Sequence, residues 1–270
     1  MELKNVMLAV GLSIFAGLST GIGGLIVLLF KKINAKILSI ALGFSAGVMI
    51  YVSFVEILPE AKHFLINAFG TKSGEWVAFA AFFAGIFLIA LIDKLVPEQE
   101  NPHEPHRVER FDVCGFGKDS QKLIKTGKLA ALAITIHNFP EGLATFVSGI
   151  NDLSLGIAIA VAVAIHNIPE GISVALPVYC ATGDKKKAFY LSLLSGLAEP
   201  AGAILAVLVL APFMNDAVFG IIYGSIAGIM VFISLDELLP SAREYGEHHL
   251  AIFGLIGGMI VMGLSLLILM

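Results

Sequence analysis

The sequence predicts an all-α membrane protein: eight transmembrane helices in a 3+2+3 inverted-repeat bundle, with the N- and C-termini outside. Three observations lead there. Of the 270 residues, 57% are hydrophobic and 14% charged, whereas a water-soluble domain carries about a quarter charged residues. The apolar residues are gathered into runs long enough to cross a bilayer. Two of those runs share the same polar string, and other segments resemble each other five runs apart. The net charge of −4 and the scatter of the 17 basic residues exclude the dense positive footprint of a nucleic-acid-binding protein.

A helix needs roughly 20 apolar residues to cross the hydrocarbon. Eight windows qualify: 5–30, 37–59, 76–96, 127–149, 153–178, 188–210, 216–240 and 250–270. The first is too long for a cleaved signal peptide, whose apolar core runs about 7–15 residues, and reads as a spanning helix. Between the spans, Lys4, Lys62 and Lys72 share the side of the N-terminus. The other fourteen basic residues, among them Lys31, Lys32, Lys36 and Lys185 to Lys187, lie opposite. The positive-inside rule makes that richer face cytoplasmic, which predicts a multi-pass protein of the cytoplasmic (inner) membrane.

Cys114 and Cys180 fall at or near this reducing side, which predicts free thiols, and neither belongs to a CxxC pair. By region, 1–96 holds spans one to three, 97–126 is a proline-punctuated cytoplasmic linker, and 127–270 holds spans four to eight, all one domain. The linker string His103-Glu104-Pro105-His106 reads first as a solvated loop, with loose metal sensing or buffering as the lesser alternative. Glycines at Gly17/Gly21, Gly43/Gly47, Gly224/Gly228 and Gly254/Gly258 have the small-xxx-small spacing that lets membrane helices approach closely. They are read as packing residues without a chemical role.

Ser53-Phe-Val-Glu56-Ile-Leu-Pro59 in span two pairs with Ser234-Leu-Asp236-Glu237-Leu-Leu-Pro240 in span seven. Each crossing reverses direction, so units five spans apart run oppositely. Spans 1–3 and 6–8 then form an inverted pair around spans 4 and 5, an architecture that secondary transporters use to open a midplane site alternately to each face.

Span four contains His137-Asn138-Phe139-Pro140-Glu141-Gly142, and span five His166-Asn167-Ile168-Pro169-Glu170-Gly171. His and Glu at i and i+4 share one helix face. Proline at i+3 frees a carbonyl, and glycine permits close backbone approach. Both strings and Glu199-Pro200 of span six fall about ten to thirteen residues into their spans, near mid-membrane. Ionisable groups there cost a few kcal/mol each on insertion scales and persist when paired or functional. Three glutamates carry −3, so one divalent ion leaves −1 and two leave +1. Imidazole and carboxylate donors suit Zn²⁺ and other first-row divalent ions, so a divalent metal is the predicted ligand.

At these residues the chain resembles the ZIP family of divalent-metal transporters, most closely a bacterial branch of it. The resemblance covers essentially the whole chain through HNFPEG with LATFV, HNIPEG with Pro177-Val178-Tyr179, Ser195 to Pro200, and Ser234 to Pro240. It implies a binuclear site. One position would use His137, Glu141, His166 and Glu170, with Met49 of span two. The other would use Asn138, Glu141, Asn167, Glu170 and Glu199, with Glu141 and Glu170 bridging. Asn167 stands where some relatives carry Asp, which weakens the second position. Glu56 resembles an entrance ligand, and Asp236 and Glu237 resemble exit ligands.

The resemblance further implies uptake into the cytoplasm, with Zn²⁺ as substrate and Cd²⁺, Fe²⁺, Mn²⁺, Co²⁺ and Ni²⁺ as competitors, no enzymatic activity, membrane lipids as surroundings, and a homodimer. Two other classes would also place His and Glu at membrane depth. An intramembrane metal-dependent hydrolase lacks support here, because no HExxH motif or separate nucleophile is evident. A non-transporting metal sensor would have no use for an inverted repeat.

Overall fold

The computed structural model describes residues 3–29, 35–95, 120–210, 213, 215–245 and 248–269, and among them no strand occurs. The helices are α1 (Leu3–Leu29), α2 (Ala35–Val52), α3 (Leu58–Phe69), α4 (Thr71–Leu95), α5 (Ser120–Asn151), α6 (Leu153–Thr182), α7 (Lys185–Gly196), α8 (Ala198–Leu205), α9 (Asp216–Ile233), α10 (Leu239–Tyr245) and α11 (His248–Leu269). Seven continuous helical stretches among the described residues are long and apolar enough to cross a membrane. This defines a multi-pass membrane protein. The HNFPEG helix α5, 32 residues long, is not among the seven. Its first three turns carry Lys122, Lys125 and Lys128, and the polar string His137–Gly142 interrupts the apolar portion that follows.

The second span runs further than its window, as one 34-residue helix Lys36–Phe69. Pro59 lacks an amide hydrogen and would clash with the carbonyl four residues back. A π-helical turn at Ser53–Ile57 absorbs the misfit, with the Leu58 N–H donating to Ser53 O. The second half of the predicted repeat does the same: Ser234–Leu238 is a π-helical turn ahead of Pro240, with Leu239 N–H donating to Ser234 O. Ser53 Oγ donates to Met49 O and Ser234 Oγ to Met230 O, each at 2.7 Å. The two motifs therefore share a local conformation as well as a sequence. Such turns leave carbonyls outside the regular ladder and recur at functional sites.

Two further departures concern boundaries. In the sixth span a single turn residue, Leu197, separates α7 from α8 without ending the helical run, which continues through a π-helical stretch at Ala206–Leu210. Helix α5 begins at Ser120, so the end of the predicted linker is helical, while residues 97–119, including His103–His106 and Cys114, lie outside the described residues. Cys180 is disulfide-bonded rather than free. Loop-side reasoning names a compartment and carries no information on whether two sulfurs are within bonding distance.

Tight connections set the topology. A single residue, Asp152, joins α5 to α6 and caps α6, its Oδ1 accepting from Ser154 N–H at 2.7 Å and Leu155 N–H at 3.3 Å, a strong N-cap arrangement. The two HNxPEG helices are thereby antiparallel neighbours. Gly70, at φ 80°, turns the chain from α3 into α4.

The packing divides the bundle into two groups. Helix α1 packs on α5, α6, α7 and α8, while α2 packs on α11 and α4 on α9. Hydroxyls lace the first group. Ser192 Oγ lies 2.8 Å from Thr20 O and 3.1 Å from Gly171 O, and Ser13 Oγ lies 3.3 Å from Gly142 O. In the second group, Gly43, Gly47, Gly254 and Gly258 let α2 and α11 touch backbone to backbone, as the small-xxx-small reading expects. The groups meet at fewer polar contacts. One is Tyr223 of α9, nearly fully buried, whose hydroxyl lies 2.8 Å from Ser148 Oγ of α5.

Candidate metal site

Helices α5, α6 and α8 bring the predicted polar residues together in the middle of the bundle. Asn138, Glu141, His166, Asn167, Glu170 and Glu199 are each at most 1% exposed. His137 lies on α5 one turn before Glu141, but its side chain lies outside the described residues. His166 Nε2 is 3.0 Å from Glu141 Oε1, so an imidazole from α6 and a carboxylate from α5 are joined directly. Asn167 Nδ2 donates to Glu199 Oε1 of α8 and, at 3.0 Å, to Ala16 O of α1. Asn138 Nδ2 donates to Ser195 O at 3.2 Å.

The two amides are thus used in the same way. Each spends its NH₂ on protein acceptors. The buried Oδ1 atoms of Asn138 and Asn167 have no hydrogen-bond partner among the described residues. Buried polar atoms are otherwise almost always paired, and an amide oxygen is a donor that a divalent cation accepts. Each amide thus keeps an oxygen that a cation could take as a ligand. Among the described residues, no group of three or more His, Cys, Asp or Glu side chains is gathered as a metal cage. What the described side chains form is a set of linked pairs: His166 with Glu141, Asn167 with Glu199, and Glu170 with Ser45.

Glycines after the acids explain how the helices come close enough. A Cβ at Gly142 would collide with the backbone carbonyl of Glu199, and a Cβ at Gly171 with that of Thr20. One HNxPEG motif therefore seats α8 against α5, and the other seats α1 against α6. Pro140 and Pro169 are accommodated within continuous helices.

Two residues join the site that sequence reasoning passed over. Ser45 of α2 donates from Oγ to Glu170 Oε1 at 3.2 Å. Serine on a glycine-rich span carries no motif, and only the approach of α2 to α6 makes it a partner. Thr145 Oγ1 is buried with no hydrogen-bond partner among the described residues. It follows Glu141 by four residues, which could have flagged it as sharing the acid's helix face. Ser45→Ala should weaken zinc binding by roughly ten- to a hundredfold, the usual loss when a group that orients a metal ligand is removed. Isothermal titration of the purified protein checks this.

None of the residues expected along a pathway belongs to these pairs. Met49 is fully buried on α2, one turn beyond Ser45 and so on the face that reaches Glu170. Glu56 is half-buried in the π-helical turn Ser53–Ile57, and Asp236 and Glu237 are half-buried in the matching turn Ser234–Leu238. They occupy equivalent places in the two halves of the repeat. His63 is exposed beside Asn67, and His249 is also exposed.

Helices of membrane-spanning length with carboxylates, an imidazole and amides buried among them define a polytopic membrane protein with a polar cluster inside its bundle. The profile of the family described as ZIP Zinc transporter matches residues 6–122 and 117–266, and the chain belongs to that family. Three relatives are each named Zinc transporter ZupT. The one from Lysinibacillus sphaericus is 58% identical over 265 residues, 98% of both chains. The one from Streptococcus mutans is 57% identical over 265 residues, again 98% of both. The one from Clostridium perfringens is 56% identical over 278 residues, 99% of this chain and 98% of its own.

Proposed function

We propose that this protein carries divalent metal, foremost Zn²⁺, into the cytoplasm across the inner membrane by alternating access, and that it is a transporter rather than an enzyme. The observation that carries this is the buried convergence of Glu141, His166, Asn167, Glu170 and Glu199 from three helices, in a chain at least 53% identical over nearly its full length to relatives named zinc transporters. Cd²⁺, Fe²⁺, Mn²⁺, Co²⁺ and Ni²⁺ share the donor preference and are expected competitors. Helix α5 counts as the eighth span, in the 3+2+3 order with both termini outside.

The metal takes two adjoining positions as substrate. His137, Glu141, His166 and Glu170 hold one, with Met49 at its edge. Asn138, Glu141, Asn167, Glu170 and Glu199 hold the other. Glu56 receives the ion at the outer end, and Asp236 and Glu237 release it at the inner end. Each donor replaces a hydration water in a setting where unscreened charge is costly, so the site must be close to neutral when loaded.

The division of the packing supports the moving parts. Helices α1, α5, α6, α7 and α8 travel as one body, laced by Ser13, Ser192 and the motif glycines. The α2–α11 and α4–α9 pairs stand still. Ser45–Glu170 and Tyr223–Ser148 bridge the two bodies and are remade as they slide.

Zinc influx into proteoliposomes, followed with an encapsulated fluorescent chelator, tests the function. Wild-type protein should admit external Zn²⁺, and folded protein with no flux would overturn the reading. At subsaturating zinc, influx should fall as external pH drops from about 7.5 to about 5.5, because imidazole and carboxylate bind metal only when deprotonated and unperturbed imidazole titrates near 6.5. The loss should be offset by raising zinc. A rate indifferent to pH would argue against imidazole ligation.

A further inference from the structure

We propose that the groove between α3 and α4 is a binding site for one anionic phospholipid, its phosphate held by Lys62 and Lys72 and its acyl chain laid over an aromatic floor. The groove encloses about 640 Å³ and is lined by Phe54, Leu58, Lys62, Lys72, Glu75, Trp76 and the phenylalanines at 79, 82 and 83. Its polar and apolar lining residues are segregated along the fold.

Lys72, Glu75 and Trp76 occupy the first two turns of α4, just after the turn at Gly70. Twenty residues of helix span the hydrocarbon, so a crossing that begins at the other end of α4, near Lys94, brings these residues to headgroup level. Tryptophan is enriched at that level. Lys62 lies two turns before the end of α3, on the antiparallel neighbour, and its long stem lets the ammonium reach the same level.

The phenylalanines lie one to three turns deeper. Phe79 and Phe83 are 4.7 Å apart between ring centroids, Phe82 and Phe83 5.3 Å, and Phe54 and Phe82 5.8 Å. They form a continuous apolar strip. Trp76 is 66% exposed, Phe79 56% and Phe54 48%, so the strip faces outward.

Charge decides the occupant. Two lysines and one glutamate leave the mouth at +1, complementary to a headgroup of charge −1. Neither ammonium is engaged in an ion pair among the described residues. A neutral acyl chain alone would not use the lysines. A second copy of this chain presenting the same face would set lysine against lysine. Phe54 belongs to the π-helical turn that carries Glu56, so the lipid would also rest against the proposed metal entrance.

The test uses full-length protein released from phosphatidylcholine membranes containing a minority of phosphatidylglycerol, with retained lipid read by native mass spectrometry. This readout does not depend on zinc transport, so its outcome is separate from that of the proposed function. One phosphatidylglycerol per chain should be retained, and Lys62→Ala/Lys72→Ala should bind it roughly thirtyfold more weakly, as expected for two interfacial lysines. Phe79→Ala should weaken retention while leaving the preference for phosphatidylglycerol over phosphatidylcholine intact. Equal retention of both lipids, or no change in the double-lysine variant with unaltered circular dichroism, would overturn the proposal. So would cysteine cross-linking that joins two chains through position 76, which would assign the groove to a dimer.

Discussion

Replacing either of the two acids proposed to bridge the metal positions should abolish transport. Glu141→Ala and Glu170→Ala are each expected to lower zinc influx by at least about a hundredfold, since even groups that only support metal ligands cost 10–100-fold when removed. The two carboxylates sit in the adjoining HNxPEG motifs and are almost fully buried. Removing Glu141 also takes away the acceptor beside His166 Nε2. Glutamine at either position keeps the volume and hydrogen-bonding capacity but not the charge, so Glu141→Gln and Glu170→Gln separate electrostatics from packing. They should fold as well as wild type and transport as poorly as the alanine variants. Near wild-type influx in a folded Glu170→Ala protein would remove this residue from the site.

The second large effect is steric. Gly142→Ala should destabilise the protein by several kcal/mol and stop transport, because overpacking a tight interface costs about 1–3 kcal/mol and more where the obstacle is backbone. The added methyl group would run into the Glu199 carbonyl, which cannot rotate away. Either α8 withdraws and carries Glu199 off the site, or the helix pair fails to assemble. Gly257→Ala is the control, since nothing lies within 4 Å of the Cβ it would add. Thermal unfolding in detergent and zinc influx, measured on both variants, check the contrast. A Gly142→Ala protein as stable as the Gly257→Ala one would mean that α5 and α8 are not in contact at this point.

Much of the site was legible before any coordinates. The duplicated HNxPEG string carries its chemistry in its spacing: i and i+4 place imidazole and acid on one face, and the acids must be buried because the spans around them are apolar. The S-x-x-E-x-L-P pair was legible for the same reason, since a serine that bonds back along the helix and a proline that disrupts it act locally. Both copies adopt the same π-helical turn. The continuation of the second span past Pro59 was not legible, because window hydropathy cannot say whether a proline ends a helix or is absorbed by it. Ser45 was missed because its role depends on what lies opposite it, whereas the spacing of Thr145 from Glu141 could have flagged it.

The amino-acid sequence alone determined that this chain is a multi-pass membrane protein and which ionisable and amide side chains fall inside its apolar segments. These follow from transfer free energies and helical periodicity, which act along the chain. Only the tertiary structure decided how those side chains are shared out: Glu141 with His166, Glu199 with Asn167, Glu170 with Ser45, and the buried amide oxygens of Asn138 and Asn167 left without a hydrogen-bond partner among the described residues. Pairings between helices depend on rotation and close approach, set by glycines meeting carbonyls far away in the chain, and no local pattern encodes which carbonyl each one meets.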